Sequence, residues 1–222
     1  MLQARLDLLS AYKAGGTFLD VGAGKGEFLA LARGKGWTVE GIEPCPSFRR
    51  YARDRYGIEC HAGYLGDSAS LPEHSFDAIT FNHVLEHVER PQRLLDTSRR
   101  YLKTGGVVFI EVPNCDSYFL RMADLYFRMK GLDWSSRLSP FHPPFHRFGF
   151  TGRSLTLLLE QSGFRVLHAT TFSGKDRGCR RRKSRWHPEI VLRDLATASV
   201  KFLGNRELLA VVAKPMTSQG GE

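Results

Sequence analysis

The sequence predicts an α/β protein: a mainly parallel sheet covered by helices on both faces. Two observations point there. Apolar runs of strand length alternate with helix-length patterns over most of the chain, the rhythm of βαβ units. The first run also ends in a glycine turn, Asp20-Val21-Gly22-Ala23-Gly24-Lys25-Gly26, directly before a helical pattern. Such a turn lets a ligand press against backbone N–H groups.

In chain order, Met1 to Gly16 reads as a short amphipathic helix and Gly16 to Gly22 as a buried strand, followed by a helix around Glu27 to Gly34. Trp37 to Pro44 is the second strand, followed by a helix over Ser47 to Tyr56. Gly57 to Gly63 and Phe76 to Asn82 are the third and fourth strands. A helix near Pro91 to Leu102 leads to the fifth, Gly105 to Asn114. The rhythm breaks over residues 115–147, which hold an aromatic and methionine-rich stretch and then "PFHPPFHRF". It resumes with a helix at Thr151 to Phe164 and a strand at Arg165 to Phe172. A basic run (Lys175 to His187), a helical stretch (Pro188 to Gly204) and a last strand (Glu207 to Pro215) close the pattern. There is no internal repeat. The 222 residues read as one domain, with a lid insertion at about 115–147 and a basic, helical excursion at about 174–205. Insertions beyond the carboxyl ends of parallel strands are where ligands are covered.

Composition excludes several classes. The chain is 42% hydrophobic and 25% charged, as soluble globular proteins are. Its apolar stretches are strand-sized, and the N-terminus has no secretory signal pattern, so the expected setting is the cytoplasm. Cys45, Cys60, Cys115 and Cys179 form no C-x-x-C pair, which argues against a zinc site or a disulfide framework. The net charge of +9 is uneven: Lys175 to His187 holds seven Lys/Arg against one Asp. That run is either a solvated surface or, beside the amphipathic stretch after it, a contact for anionic lipid or a phosphorylated acceptor. The charge sits in one loop and the aromatic residues elsewhere, which speaks against nucleic acid as partner.

The turn spaces Asp20, Gly22, Gly24 and Gly26 as D-x-G-x-G-x-G. That is neither the G-x-G-x-x-G of nicotinamide enzymes nor a P-loop, since no G-K-[ST] follows. Glu43 ends the next strand, where a carboxylate accepts hydrogen bonds from both hydroxyls of a ribose. Together they indicate an adenosine-containing ligand without a pyrophosphate.

"FLDVGAGKGEFLALARGKGWTVEGIEP", "LPEHSFDAITFNHVLEHVERPQRLL" and "LKTGGVVFIEVPN" together resemble a class I S-adenosylmethionine-dependent methyltransferase. The nearest branch is that of the ubiquinone-biosynthesis O-methyltransferases and related bacterial enzymes, and the resemblance covers Gly16 to Phe172. It implies a Rossmann-like seven-stranded sheet, mostly parallel with an antiparallel last strand. It implies that Asp20, Gly22 and Gly24 line the methionine and ribose of S-adenosylmethionine, that Gly26 opens the helix and that Glu43 holds the ribose hydroxyls. Gly63, Tyr64 and Leu65 edge the adenine, with Asp67 a candidate for its amino group. Asn82 and His83 face the methionine end and the acceptor. The implied function is methyl transfer to a small-molecule acceptor, chiefly on oxygen. RNA methylation and a non-catalytic cofactor-binding role are the alternatives.

"NHVLEHV" (Asn82 to Val88) leaves three readings open. If helical, it puts His83, Glu86 and His87 on one face. A structural role orients the loop. Alternatively a histidine, from His83, His87 and His146, acts as general base. The third reading is a divalent metal: relatives bind one through E-x-x-E-H, and here His83 replaces the first glutamate, leaving His83, Glu86 and His87 with His146 as a fourth ligand. His142 is a further histidine over the acceptor side. The stretch Tyr118 to Trp134 reads as a lid helix packing its apolar face on the sheet, or as a wall of the acceptor site through Tyr118, Phe119, Leu125, Tyr126, Phe127 and Trp134.

Overall fold

The computed structural model describes residues 1–67, 71–132, 145–172 and 208–216, with the side chains of residues 118–120 and 123 left aside. The elements run α1 (Leu2–Ser10), β1 (Thr17–Val21), α2 (Glu27–Gly34), β2 (Thr38–Glu43), α3 (Pro46–Tyr56), β3 (Cys60–Ala62), β4 (Phe76–Asn82), α4 (Pro91–Tyr101), β5 (Leu102–Pro113), α5 (Tyr118–Met129), α6 (Gly152–Gln161), β6 (Phe164–Phe172) and β7 (Leu208–Pro215). Local chemistry accounts for several boundaries. Glu27 in the first turn and Arg33 in the last complement the dipole of α2. Pro46 and Pro91 open α3 and α4, where a missing N–H costs nothing. Thr151 and Ser154 form a capping box at the start of α6.

The seven strands lie in the order β3-β2-β1-β4-β5-β7-β6. β1 to β5 pair in parallel, and β7 runs antiparallel between β5 and β6. The expected mostly parallel sheet with a reversed last strand is therefore present, and the reversed strand is internal, with β6 on the edge. From β1 the order proceeds outward to β2 and β3 on one side and to β4 and β5 on the other. The crevice between the carboxyl ends of β1 and β4 is the switch point where such sheets bind ligands.

Successive residues of a strand point to opposite faces, and β1 shows it: Phe18 belongs to one core and Leu19 to the other. The first core joins Phe18 with Phe28 of α2, Trp37, and Leu6 and Leu9 of α1. The second joins Ile79 and Phe81 of β4 with Leu95 of α4 and Leu155 and Leu159 of α6.

Two expectations change. α5 does not lay its apolar face on the sheet: Leu125 and Tyr126 are each 51% exposed and Met129 is 72% exposed. Its stripe at helical spacing points outward, so helical periodicity revealed a helix but not the direction of its apolar side. The segment after β4 forms turns rather than a helix. His83 takes a left-handed φ of 55°, which a continuing right-handed helix forbids. Trp134, His142, the basic run Lys175 to His187, the stretch Pro188 to Gly204 and Cys179 lie outside the described residues, and the side chains of Tyr118 and Phe119 are likewise not described. Among the described residues no helix is long and apolar enough to cross a membrane.

Phe18 is fully buried, edge-on to Phe28 at 5.5 Å and to Trp37 at 5.6 Å between ring centroids. Phe18→Ala is expected to lower unfolding stability in urea by about 3–5 kcal/mol. A loss under about 1 kcal/mol would mean that this aromatic cluster does not tie β1 to α2.

Candidate active site

At the switch point, the turn after β1 and the end of β2 form one wall of a cavity of about 1070 Å³, lined there by Gly22, Gly24 and Glu43. Gly24 has φ +55°, and a Cβ placed on it would meet no protein atom within 4 Å. Its missing side chain leaves open space on the cavity side. At Gly22 (φ +75°) a Cβ would come within 2.8 Å of Val84 Cγ2, so this glycine is required by the adjoining loop. Gly26, also left-handed, is the N-cap of α2.

Glu43 is 6% exposed and binds the turn directly. Its Oε2 accepts from the Gly24 N–H at 2.8 Å and its Oε1 from the Cys45 N–H at 2.8 Å. A carboxylate oxygen accepts two hydrogen bonds, so each oxygen keeps one acceptor position free. Gly63, Tyr64, Leu65 and Asp67 line the same cavity, and Tyr64 is 63% exposed in it.

Asp20 and Asn82 stand behind this wall rather than on it. The Asp20 carboxylate is buried and accepts from Thr80 Oγ1 at 2.5 Å and Asn82 Nδ2 at 3.2 Å. Burial lifts its pKa to about 6 against the opposing pull of those two hydrogen bonds. Asn82 Oδ1 is buried and accepts nothing.

A chain of charges runs from α1 to the loop after β4. The Arg5 guanidinium, 7% exposed, grips both oxygens of the fully buried Glu111, with Nε to Oε2 at 2.8 Å and Nη2 to Oε1. Glu111 Oε1 lies 3.2 Å from His83 Nε2, and His83 Nδ1 lies 3.1 Å from Glu86 Oε1. Carboxylates only accept, so both ring nitrogens of His83 donate and the ring is an imidazolium. Burial alone would depress the His83 pKa, but the hydrogen bonds and charges of Glu111 and Glu86 raise it to about 9. Burial pushes Glu111 up, yet His83 and Arg5 hold it below the ordinary carboxylate range.

His87 Nδ1 donates to the Phe145 carbonyl at 3.3 Å, and its Nε2 is 3.9 Å from Glu86 Oε1, beyond hydrogen-bonding distance. That leaves the Nε2 lone pair free on a residue that lines the cavity. His146 lies against His87 with the rings tilted, centroids 5.0 Å apart, and burial lowers its pKa. Glu86, His87 and His146 each bring one ligand atom within 4.8 Å of the others. His83 stands outside that group, with both nitrogens engaged. Leu125, Tyr126 and Phe127 do not line the cavity.

The pair Arg5 and Glu111 was not singled out from sequence. The signal existed: Leu2, Arg5, Leu6 and Leu9 share one helical stripe, and Glu111 interrupts the apolar run "VVFIEV". A charge inside each buried pattern implies a partner.

A glycine cradle, a carboxylate at the end of β2 and this strand order define a class I S-adenosylmethionine-dependent methyltransferase. Residues 1–169 match the family model described as a methyltransferase domain, and the chain belongs to that family. It is 31% identical over 145 residues to a ubiquinone biosynthesis O-methyltransferase of Xanthomonas oryzae pv. oryzae, covering 63% of this chain and 56% of that protein. The chain thus spans little more than half the length of this curated relative. Among solved structures it resembles a methyltransferase of Archaeoglobus fulgidus (TM-score 0.65, 23% identity, 96% of this chain and 92% of that one). It also resembles a 1,6-didemethyltoxoflavin-N1-methyltransferase of Burkholderia thailandensis, solved with bound 1,6-didemethyltoxoflavin and S-adenosylhomocysteine (TM-score 0.62, 17% identity, 97% and 78% coverage). These two structures show the fold.

Arg5→Met would leave Glu111 buried with one partner fewer, and a stability loss of about 3–5 kcal/mol is expected in urea unfolding. Adding Glu111→Leu should recover part of it; an Arg5→Met protein as stable as wild type would contradict the pairing. His83 makes a pH-dependent contribution with a defined sign. Its folded pKa of about 9 exceeds the ordinary 6.5, so its stabilisation is complete below pH 6.5 and is lost as pH rises through 9. Unfolding midpoints across that window should decline in wild type and flatten in His83→Asn.

Proposed function

We propose that this enzyme transfers a methyl group to an oxygen of a small-molecule acceptor in the cytoplasm, with His87 as the base. The observation that carries it is the His87 ring, held through Nδ1 with Nε2 free on the wall of the cavity that holds the glycine cradle. The described thiols Cys45 and Cys60 are free, which suits a reducing compartment.

The residues present fit S-adenosylmethionine. Gly24 leaves the space that a Cβ would fill, and the free acceptor positions of Glu43 suit two ribose hydroxyls. Tyr64 and Asp67 suit the adenine ring and its amino group. When bound, the cofactor supplies an electrophilic methyl on sulfur. The chain's own part is to hold the acceptor in line, exclude water and take the hydroxyl proton. His83, fully protonated between two carboxylates, orients the loop. His87 Nε2 receives the proton.

One further arrangement has its own support. Glu86, His87 and His146 would suit a divalent cation, and Glu86 Oε2 is buried without a partner. One carboxylate with two imidazoles favours manganese, iron or zinc, which would lower the pKa of an acceptor hydroxyl.

Incubation with S-adenosylmethionine and a panel of phenols, catechols and amines, read by product mass and fragmentation, tests the reading. O-methyl products are expected, and products methylated only on nitrogen would overturn it. His87→Asn should lower kcat by about 10²–10⁴-fold with little change in KM. Full activity in excess chelator, with no metal found by elemental analysis, would leave His87 acting without a cation. Glu43→Ala should weaken S-adenosylhomocysteine binding by about 1–3 kcal/mol in calorimetry, and unchanged affinity in a folded variant would remove Glu43 from the ribose.

A further inference from the structure

The cavity of about 1070 Å³ exceeds the roughly 300–1,000 Å³ typical of a single small-molecule site. Its lining continues well beyond the glycine turn and Glu43, to the loop after β4 and to α4. Away from the glycine cradle its wall is built by the loop after β4 and the start of α4, with Val88 and Leu94 beside Arg90, Arg93, Arg100 and Arg147. Two of these arginines have counter-charges: Arg100 pairs with Glu73, and Arg147 with Glu89 at 2.8 Å.

Arg90 and Arg93 do not. Among the described residues neither side chain makes an ion pair or a hydrogen bond. The first turn of α4 contains no acidic residue to offset them. The carboxylates elsewhere on the cavity wall are Glu43, bound by two backbone N–H groups, Glu89, paired with Arg147, and Asp67, on the far loop. The wall at Arg90 and Arg93 thus carries uncompensated positive charge within a concave surface, which concentrates anions. A guanidinium fork matches carboxylate and phosphate oxygens in shape as well as charge.

We infer that the methyl acceptor carries an anionic group, a carboxylate or a phosphate monoester, held by Arg90 and Arg93, with an apolar body against Val88 and Leu94. This rests on the methyl-transfer reading above, because the acceptor must share the cavity with the cofactor.

The test uses the full chain saturated with S-adenosylhomocysteine and three calorimetric probes: phenol, 4-hydroxybenzoate and phenyl phosphate. An anionic probe is expected to bind about tenfold or more tightly than phenol, as charge-assisted contacts require. Whichever anion binds better identifies the group. The preference should weaken with added salt and vanish in Arg90→Gln/Arg93→Gln, while affinity for S-adenosylhomocysteine stays as in wild type. Equal binding of charged and neutral probes, or a preference that survives in the double variant, would overturn the inference. So would a double variant that loses S-adenosylhomocysteine but keeps 5′-methylthioadenosine, because the arginines would then serve the cofactor's own carboxylate. If wild type fails to bind S-adenosylhomocysteine at all, the cofactor reading fails first and this inference with it.

Discussion

The arrangement depends on one carboxylate. Glu43 accepts the N–H of Gly24 on one oxygen and that of Cys45 on the other, 2.8 Å each. It thereby joins the turn after β1 to the end of β2, 19 residues apart. A nearly buried carboxylate is costly without hydrogen bonds, and these two donors supply them. The same bonds fix the left-handed path of the turn and hold open the space at Gly24. A glutamine could not do the same: its amide nitrogen would face a donor. The geometry of the cradle is therefore set before any ligand arrives, which is the preorganisation that binding favours.

A second frame holds the loop after β4. Arg5, Glu111, His83 and Glu86 alternate in charge from α1 across β5 to the loop after β4. Each buried charge has an opposite neighbour, so the desolvation cost is offset along the chain. The arrangement also divides labour between two histidines four residues apart. His83 is locked as a cation with a strained backbone (φ 55°), which suits holding a loop and not accepting a proton. His87 is tied by one nitrogen only, on the wall of the cavity.

The legible parts of the sequence were those set by local patterns. α2 and β4 have the expected limits, and the apolar runs became the parallel strands, because burial on both faces writes itself into consecutive residues. The glycine turn and Glu43 were legible as a pair because the fold brings the ends of adjacent parallel strands together. What escaped was set by contacts distant in sequence. Arg5 and Glu111 are 106 residues apart, and no local pattern assigns one to the other. Spacing in "NHVLEHV" suggested a helix, and a turn brought His83 to Glu86 instead. The apolar stripe of α5 likewise gave a period but not a partner, and Met122, Leu125 and Met129 face outward.

The most direct measurement is a crystal structure of the full chain with S-adenosylhomocysteine. The account predicts the ligand at the carboxyl ends of β1 and β4, with both ribose hydroxyls within hydrogen-bonding distance of Glu43 and its ribose packed against Gly24. The sulfur should face the cavity space beside His87. A ligand bound elsewhere, or one whose ribose makes no contact with Glu43, would contradict it.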